Sequence, residues 1–339
     1  MMKISKLLLS IGLLSWLNAT CAPALADTPL RSLLLERLAA RQNASSNDGY
    51  GRFINHLSCE KLARLSQGKN RNGQSSSTPS QTASYGSHPA QKLELYLPEH
   101  TKTAAPIIIM VHGGAWCVGD MDAANVVNNK LAHWLPKGFI FVSANYRMLP
   151  DQADVLTQAS DVARAIAYVQ KHAADWHGDP SQIIVMGHSA GAHLVSLLSA
   201  DPAMARTYGA QPWLGSISLD SAALDVPATM QAQHPLFYDD AFGQDPEFWQ
   251  KTSPLQRLGQ APLPWLGVCS TQRKDSCPQA HAYSAALRRH GRHSEVLEVN
   301  LKHGEVNSQL GEPGPYTEQV ERFMASLGKD IRQHLALQP

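Results

Sequence analysis

Gly187, Ser189 and Gly191 are spaced two residues apart in VMGHSAGAHL, residues 185–194. A serine set between two such glycines suits a sharp turn that presents its hydroxyl at the start of a helix. The plain alternative is a serine that caps a helix in a tight turn. A serine hydroxyl is a weak nucleophile unaided: it needs a base to take its proton and N–H donors to hold the oxyanion that follows attack on a carbonyl. The sequence offers candidates for both. His112-Gly113-Gly114-Ala115-Trp116 carries two adjacent glycines whose backbone N–H groups can turn inward, and the N–H of Ala190, just after the serine, adds a third donor.

Fifteen histidines compete for the role of base, so position must discriminate. His303, in LKHGEVN, lies just past the apolar run VLEV, whereas His293 precedes it and falls at the opposite end. His281 and His290 fall within or at the end of a helical pattern, and His188 and His193 are too near the serine in sequence. His303 is therefore the expected base. The acid that orients it should lie between Ser189 and His303 in the chain, the order Ser…acid…His. Asp275, in CSTQRKDSC after the run WLGV, is the first choice; Asp220, in SLDSAAL, is the alternative, and Asp225 a weaker third. The plain reading of Asp275 is a solvated loop charge beside Arg273 and Lys274.

These residues need a scaffold that brings them to one edge. Short apolar runs recur at residues 93–97, 107–111, 139–142, 183–186, 217–219, 265–268 and 296–299, with helical spacing between several of them, as in Val155 to His172. Continuous apolar strands separated by helices predict an α/β fold with a mostly parallel, doubly wound sheet buried on both faces. In such sheets the site forms at the carboxyl ends of the strands. Ser189, the HGG loop, both aspartates and His303 all fall there. Asp225 to Leu255, rich in aromatics, is a candidate cap. Trp116 and Tyr146 are candidate pocket residues, or else core aromatics.

The chain of 339 residues is 43% hydrophobic and 17% charged, with a formal net charge of +1 and no basic block. That balance fits a soluble globular protein and gives no reason to expect nucleic acid as a partner. Residues 1–26 carry Lys3 and Lys6, an apolar run from Leu7 to Leu17, and Ala24-Leu25-Ala26, the pattern of a secretory signal peptide. The run is about half the ~20 residues a spanning helix needs, so no stable membrane span is expected. An exported protein makes disulfides available to Cys59, Cys117, Cys269 and Cys277. Cys269 and Cys277 flank a polar loop and are the expected pair, leaving Cys59 with Cys117. No zinc-type cysteine spacing occurs. Residues 27–84 read as an N-terminal extension, with an amphipathic helix around Leu30 to Arg41 and a Ser/Gln/Asn-rich flexible linker at Ser66 to Ser84. The catalytic domain is expected at residues 85–339.

HGGAW followed by Gly119-Asp120, SANYR at Ser143 to Arg147, GHSAG, and HGE at His303 to Glu305 resemble the α/β-hydrolase superfamily, in particular its secreted carboxylesterases and its feruloyl-esterase-like and kynurenine-formamidase-like groups. The pattern differs from the hormone-sensitive-lipase-like group, where a third glycine follows HGG; here it is Ala115. The resemblance implies a serine hydrolase of small or short-acyl carboxylic esters. Ser189 attacks, His303 shuttles the proton, Asp275 orients His303, and the N–H groups of Gly113, Gly114 and Ala190 hold the oxyanion, with no cofactor or metal. An aryl-formamidase-type amidase, a serine peptidase and a non-catalytic binding protein are the competing expectations.

Overall fold

The computed structural model describes residues 56–66, 73–75, 77–99 and 104–336. The expected signal peptide and the helix around Leu30 to Arg41 lie outside the described residues. Eight strands form one sheet: β1 (Gln81–Ser84), β2 (Lys92–Tyr96), β3 (Ala105–Val111), β4 (Ile140–Ala144), β5 (Gly178–His188), β6 (Gly215–Leu219), β7 (Trp265–Ser270) and β8 (Ser294–Val299). Their order across the sheet is β1-β2-β4-β3-β5-β6-β7-β8. The β1–β2 and β2–β4 pairs are antiparallel, and every pair from β4–β3 to β7–β8 is parallel.

The parallel strands inside the sheet have helices on both sides, so both of their faces are buried, whereas β8 at the edge leaves Glu295 and Glu298 exposed. In β3, Ile107, Ile109 and Val111 join the core beneath the helices Val155–His172 and Ala190–Ala200. Ile108 and Met110 join the opposite core, with Val127 and Leu131 of helix Ala124–Trp134 and Phe323 of helix Pro315–Ser326. The period-2 alternation of a strand is present, but it is invisible as polarity because neither face meets water. Helix Val155–His172 begins where the Asp154 carboxylate accepts the Thr157 N–H at 2.7 Å, a side-chain cap.

Seven of the eight strands fall on the apolar runs of the sequence; β1 does not. It lies within the stretch expected to be a flexible linker. Gln81–Ser84 is a short, mostly exposed edge strand whose attachment is backbone pairing to β2, so it needs no apolar side chains. Gln74 also bridges Ala123 as an isolated pair. The described part of the Ser66 to Ser84 stretch is therefore docked on the domain.

The chain order reverses around β3, which lies between β4 and β5. Ligand crevices in open α/β sheets form at such a switch point, outside the carboxyl ends of the strands. Two of the sequence motifs meet there: HGG follows β3 and the serine turn follows β5.

Candidate active site

The chain leaves β5 and enters helix Ala190–Ala200 through one residue. Ser189 takes φ 54° and ψ −115°, a conformation that is strained for any residue with a Cβ. It is held there by its own N–H, which donates to the Leu219 carbonyl at 2.9 Å. The flanking glycines are demanded by proximity. A Cβ on Gly191 would strike the carbonyls of Val111 and His112, and one on Gly187 would strike the backbone of Gly191. The helix can thus start directly against the end of β3.

His303 begins helix His303–Ser308, four residues beyond the end of β8 at Val299. Its Nε2 lies 2.9 Å from Ser189 Oγ and its Nδ1 lies 2.6 Å from Asp220 Oδ2. With Nδ1–H donated to the carboxylate, Nε2 is free to accept the serine proton. Burial and the Arg273 guanidinium push the His303 pKa below the usual imidazole range, while the Asp220 carboxylate pulls it back up.

The structure places Asp220, the alternative acid, against His303, and does not bring Asp275 there. Asp220 follows β6 directly, beside β5, in a left-handed backbone conformation with φ 57°. It is completely buried. Its Oδ1 accepts the Ser270 N–H at 2.9 Å and the Ser276 hydroxyl at 2.5 Å, and its Oδ2 accepts His303 and Arg273 Nη1 at 3.0 Å. Burial alone would raise its pKa. The Arg273 charge and the hydrogen bonds from His303 and Ser276 outweigh burial and hold the carboxyl well below the usual range. Asp275 instead occupies the N-cap position of helix Ser276–Arg289, exposed, with no cap hydrogen bond from its side chain. The loop after β7 sends Arg273 and Ser276 to the position where an acid was expected. Asp225, the third candidate, caps helix Val226–Gln231.

The HGG loop lies against the serine. A Cβ on Gly113 would stand 2.8 Å from both the His188 carbonyl oxygen and Ser189 Cβ. Gly114 has φ 129°, and a side chain there would overlap the Val118 carbonyl. Among the described residues, no protein acceptor takes the N–H groups of Gly113, Gly114 or Ala190. They are therefore available to a developing oxyanion.

The two aromatic candidates separate. Trp116 borders the cleft above Ser189. Its ring packs edge-on against Tyr238 and Phe242, and its Nε1–H donates to His193 Nδ1 at 3.2 Å. His193 donates its single N–H, on Nε2, to the Thr252 carbonyl at 2.8 Å, and burial lowers its pKa to about 4, so it is a fixed neutral strut. Tyr146 is fully buried behind the loop and is no pocket residue: its hydroxyl donates to the His112 carbonyl at 3.0 Å and its ring stacks on the His112 imidazole. Its role is to brace HGG from the core side.

The cleft encloses about 1500 Å³. Ala228, His234, Phe237 and Tyr238 of the expected cap line it, on helices Val226–Gln231 and Leu236–Phe242 and the turn between them. Sequence reasoning missed a second wall. Helix Cys59–Ser66 contributes Leu62 and Ala63 to the lining, and the Cys59–Cys117 disulfide fixes it to the HGG loop. The Cys59 N–H also donates to the Asp240 carboxylate at 2.6 Å, so the helix joins loop to cap. Cys269 and Cys277 form the other disulfide, at the start of helix Ser276–Arg289. Arg273 and Ser276 were missed as well; their only trace in the sequence is that they share a short loop with Asp275.

Residues 93–212 match the BD-FAE family model. The chain is 33% identical over 127 residues to a probable isoprenylcysteine alpha-carbonyl methylesterase of Oryza sativa subsp. japonica, covering 38% of this chain and 30% of that protein. It is 32% identical over 198 residues to the esterase LipQ of Mycobacterium tuberculosis, covering 54% of this chain and 46% of that protein. The chain thus spans less than half the length of these curated relatives. Among solved structures, a truncated carbohydrate esterase from gut microbiota superposes with a TM-score of 0.61 at 20% identity, over 76% of this chain and 99% of that one. That likeness is one of fold.

Proposed function

We propose that the chain is a member of the α/β-hydrolase superfamily, whose fold it shares, and that within it the protein is a serine hydrolase of carboxylic esters. The observation that carries this reading is the continuous relay from Ser189 Oγ through the His303 ring to the buried Asp220 carboxylate, with links of 2.9 and 2.6 Å. Ser189 attacks the ester carbonyl as His303 Nε2 takes its proton. Asp220 holds the Nδ1–H tautomer and stabilises the imidazolium. The N–H groups of Ala190, Gly114 and Gly113 receive the oxyanion, and losing one such donor typically adds ~3 kcal/mol to the barrier. His303 then protonates the departing alcohol, and water, activated by the same ring, releases the acyl group. Each step uses groups of the chain itself.

The relatives' names, methylesterase and esterase, support an ester rather than an amide substrate. We propose small or short-acyl esters. We also read residues 1–26 as a signal peptide and the protein as exported to the periplasm or beyond. The two cysteine pairs support an oxidising compartment, and no helix among the described residues is long and apolar enough to cross a membrane.

The test is turnover of p-nitrophenyl acetate and butyrate, with fluorophosphonate labelling, by wild type and Ser189→Ala. Wild type is expected to turn over both esters and to be labelled once, and the variant to do neither. Undiminished turnover by Ser189→Ala would sink the nucleophile assignment. An unlabelled, inactive wild type would favour a binding protein.

A further inference from the structure

We infer that Arg273 is a positioning residue that sets the working pH of His303 by sharing the Asp220 carboxylate with it. The inference rests on the hydrolase reading above. One oxygen, Asp220 Oδ2, accepts from His303 Nδ1 at 2.6 Å and from Arg273 Nη1 at 3.0 Å. The same Nη1 donates to the Asp220 backbone carbonyl at 2.9 Å, so the guanidinium grips both ends of the residue. It thereby comes within 3.2 Å of His303 Nδ1. Both nitrogens carry hydrogen there, so this approach is a cation beside a ring and not a bond.

Two consequences oppose each other. Asp220 has no exposure to water, and an isolated buried carboxylate would give up its charge. Arg273 supplies the counter-charge that keeps it ionised. Yet a fixed positive charge beside His303 disfavours the imidazolium, the form His303 must pass through during the reaction. Dividing Oδ2 between two donors also weakens its hold on the ring proton. Both effects act in the same direction and keep His303 neutral, able to accept a proton, into more acidic solution.

The other groups around this cluster leave Arg273 as the deciding one. His188, at the end of β5, packs with its ring tilted against that of His303, centroids 4.6 Å apart, and donates Nε2–H to the His303 carbonyl at 3.0 Å; burial and the His303 charge keep it well below the usual imidazole range, hence neutral. Lys130 reaches the cluster only by its field on His188, and it donates to Asn307. Tyr238, from the cap, and Asp275 face Arg273, and burial keeps Tyr238 protonated.

The test is the pH profile of kcat/KM for p-nitrophenyl acetate in wild type, Arg273→Gln and Arg273→Lys. In parallel, His303 is titrated by NMR in 13C-histidine-labelled protein, its signal assigned with His303→Asn. In Arg273→Gln the acid limb and the NMR midpoint are expected to rise together by about one pH unit, the low end of what an adjacent charge does. Arg273→Lys keeps the charge and is expected to stay near wild type. A role confined to folding would lower kcat and leave the limb where it was. That outcome overturns the inference, as does an equal shift in both variants. Should Arg273→Gln fail to fold, Arg273→Met, which removes the charge and keeps an apolar stem, is expected to show the same rise, and an unmoved limb and midpoint in it overturn the inference. Loss of the ester reading itself would appear separately, as absent turnover and absent fluorophosphonate labelling of wild type, while the NMR arm still reads the Arg273–His303 coupling.

Discussion

Replacing Asp220 by asparagine isolates the acid, because the shape is retained and only charge and proton pattern change. The direction follows from the partners already in place. Oδ1 accepts from the Ser270 N–H at 2.9 Å and from the Ser276 hydroxyl at 2.5 Å, so the asparagine carbonyl oxygen must take that side. Its NH₂ then faces His303 Nδ1 where Oδ2 stood, 2.6 Å away in the wild type. A donor there demands an acceptor, so Nδ1 loses its proton and Nε2 keeps one. An Nε2–H pointed at Ser189 Oγ cannot take the serine proton. The same change of acid to amide in a serine protease triad lowers kcat by ~10⁴, equivalent to about 5 kcal/mol of barrier. A loss of roughly 10³ to 10⁴ in kcat/KM is expected for Asp220→Asn. Asp275→Asn, altered at an exposed helix start, is expected to stay within about twofold, the range of surface changes that touch no partner. The assay is p-nitrophenyl butyrate hydrolysis, with thermal unfolding of both variants to exclude misfolding. Activity lost in folded Asp275→Asn and retained in Asp220→Asn would refute the reasoning and restore Asp275 as the acid.

Further outcomes follow from other contacts. Gly113→Ala drives a methyl to 2.8 Å from the His188 carbonyl and Ser189 Cβ, displacing an oxyanion donor; kcat/KM is expected to fall roughly 10²- to 10³-fold, and an unchanged value would exclude Gly113 from the site. The double variant Cys59→Ser/Cys117→Ser opens a covalent link of sequence separation 58, which the chain-entropy model values at roughly 4 kcal/mol. Urea unfolding should show the loss, and a rise in KM should accompany it if helix Cys59–Ser66 shapes the cleft. Glu321 is nearly buried, so burial raises its pKa, but hydrogen bonds from His133 at 2.8 Å and Lys137 at 2.6 Å outweigh this and lower it from 4.5. Its stabilising contribution is therefore full above about pH 4.5 and lost as the pH falls through the lower folded-state value. Glu321→Gln should lower the urea midpoint at pH 7 and much less near pH 3; equal losses at both would show that the charge is not what stabilises.

The strand β3 was legible because it reads IIIMV without interruption, and only a strand covered on both faces calls for apolar residues at every position. Ser189 and His303 were legible for a related reason: each follows such a strand at its carboxyl end, which leaves them few places to go. β1 was not legible. Gln81–Ser84 is held by backbone pairing at an edge, and an edge strand leaves no apolar signature. Helix Cys59–Ser66 was hidden differently. Its place above the cleft depends on a bond to Cys117 and one to Asp240, 58 and 181 residues away, and neither distance is marked by local pattern.

Asp275 and Asp220 show where strand-end reasoning runs out. Both follow parallel strands, at the same edge of the sheet and in the permitted order between serine and histidine, so pattern alone ranks them by habit. What separates them is how the seven residues from Ser270 to Ser276 fold. That loop turns Arg273 and Ser276 inward to the end of β6 and leaves Asp275 facing water. A carboxylate can be buried there only because its counter-charge and two further donors arrive from the neighbouring loop. The acid is thus selected by its partners: Asp220 sits among Ser270, Arg273, Ser276 and His303, each within hydrogen-bond reach, while Asp275 has the right address but its side chain makes no cap hydrogen bond and meets Arg273 only through its field. The same reasoning makes Ser276→Ala a sharper probe than its small size suggests. It removes one donor from a fully buried carboxylate whose charge the site requires, so kcat/KM should fall, and by less than in Asp220→Asn because three donors remain.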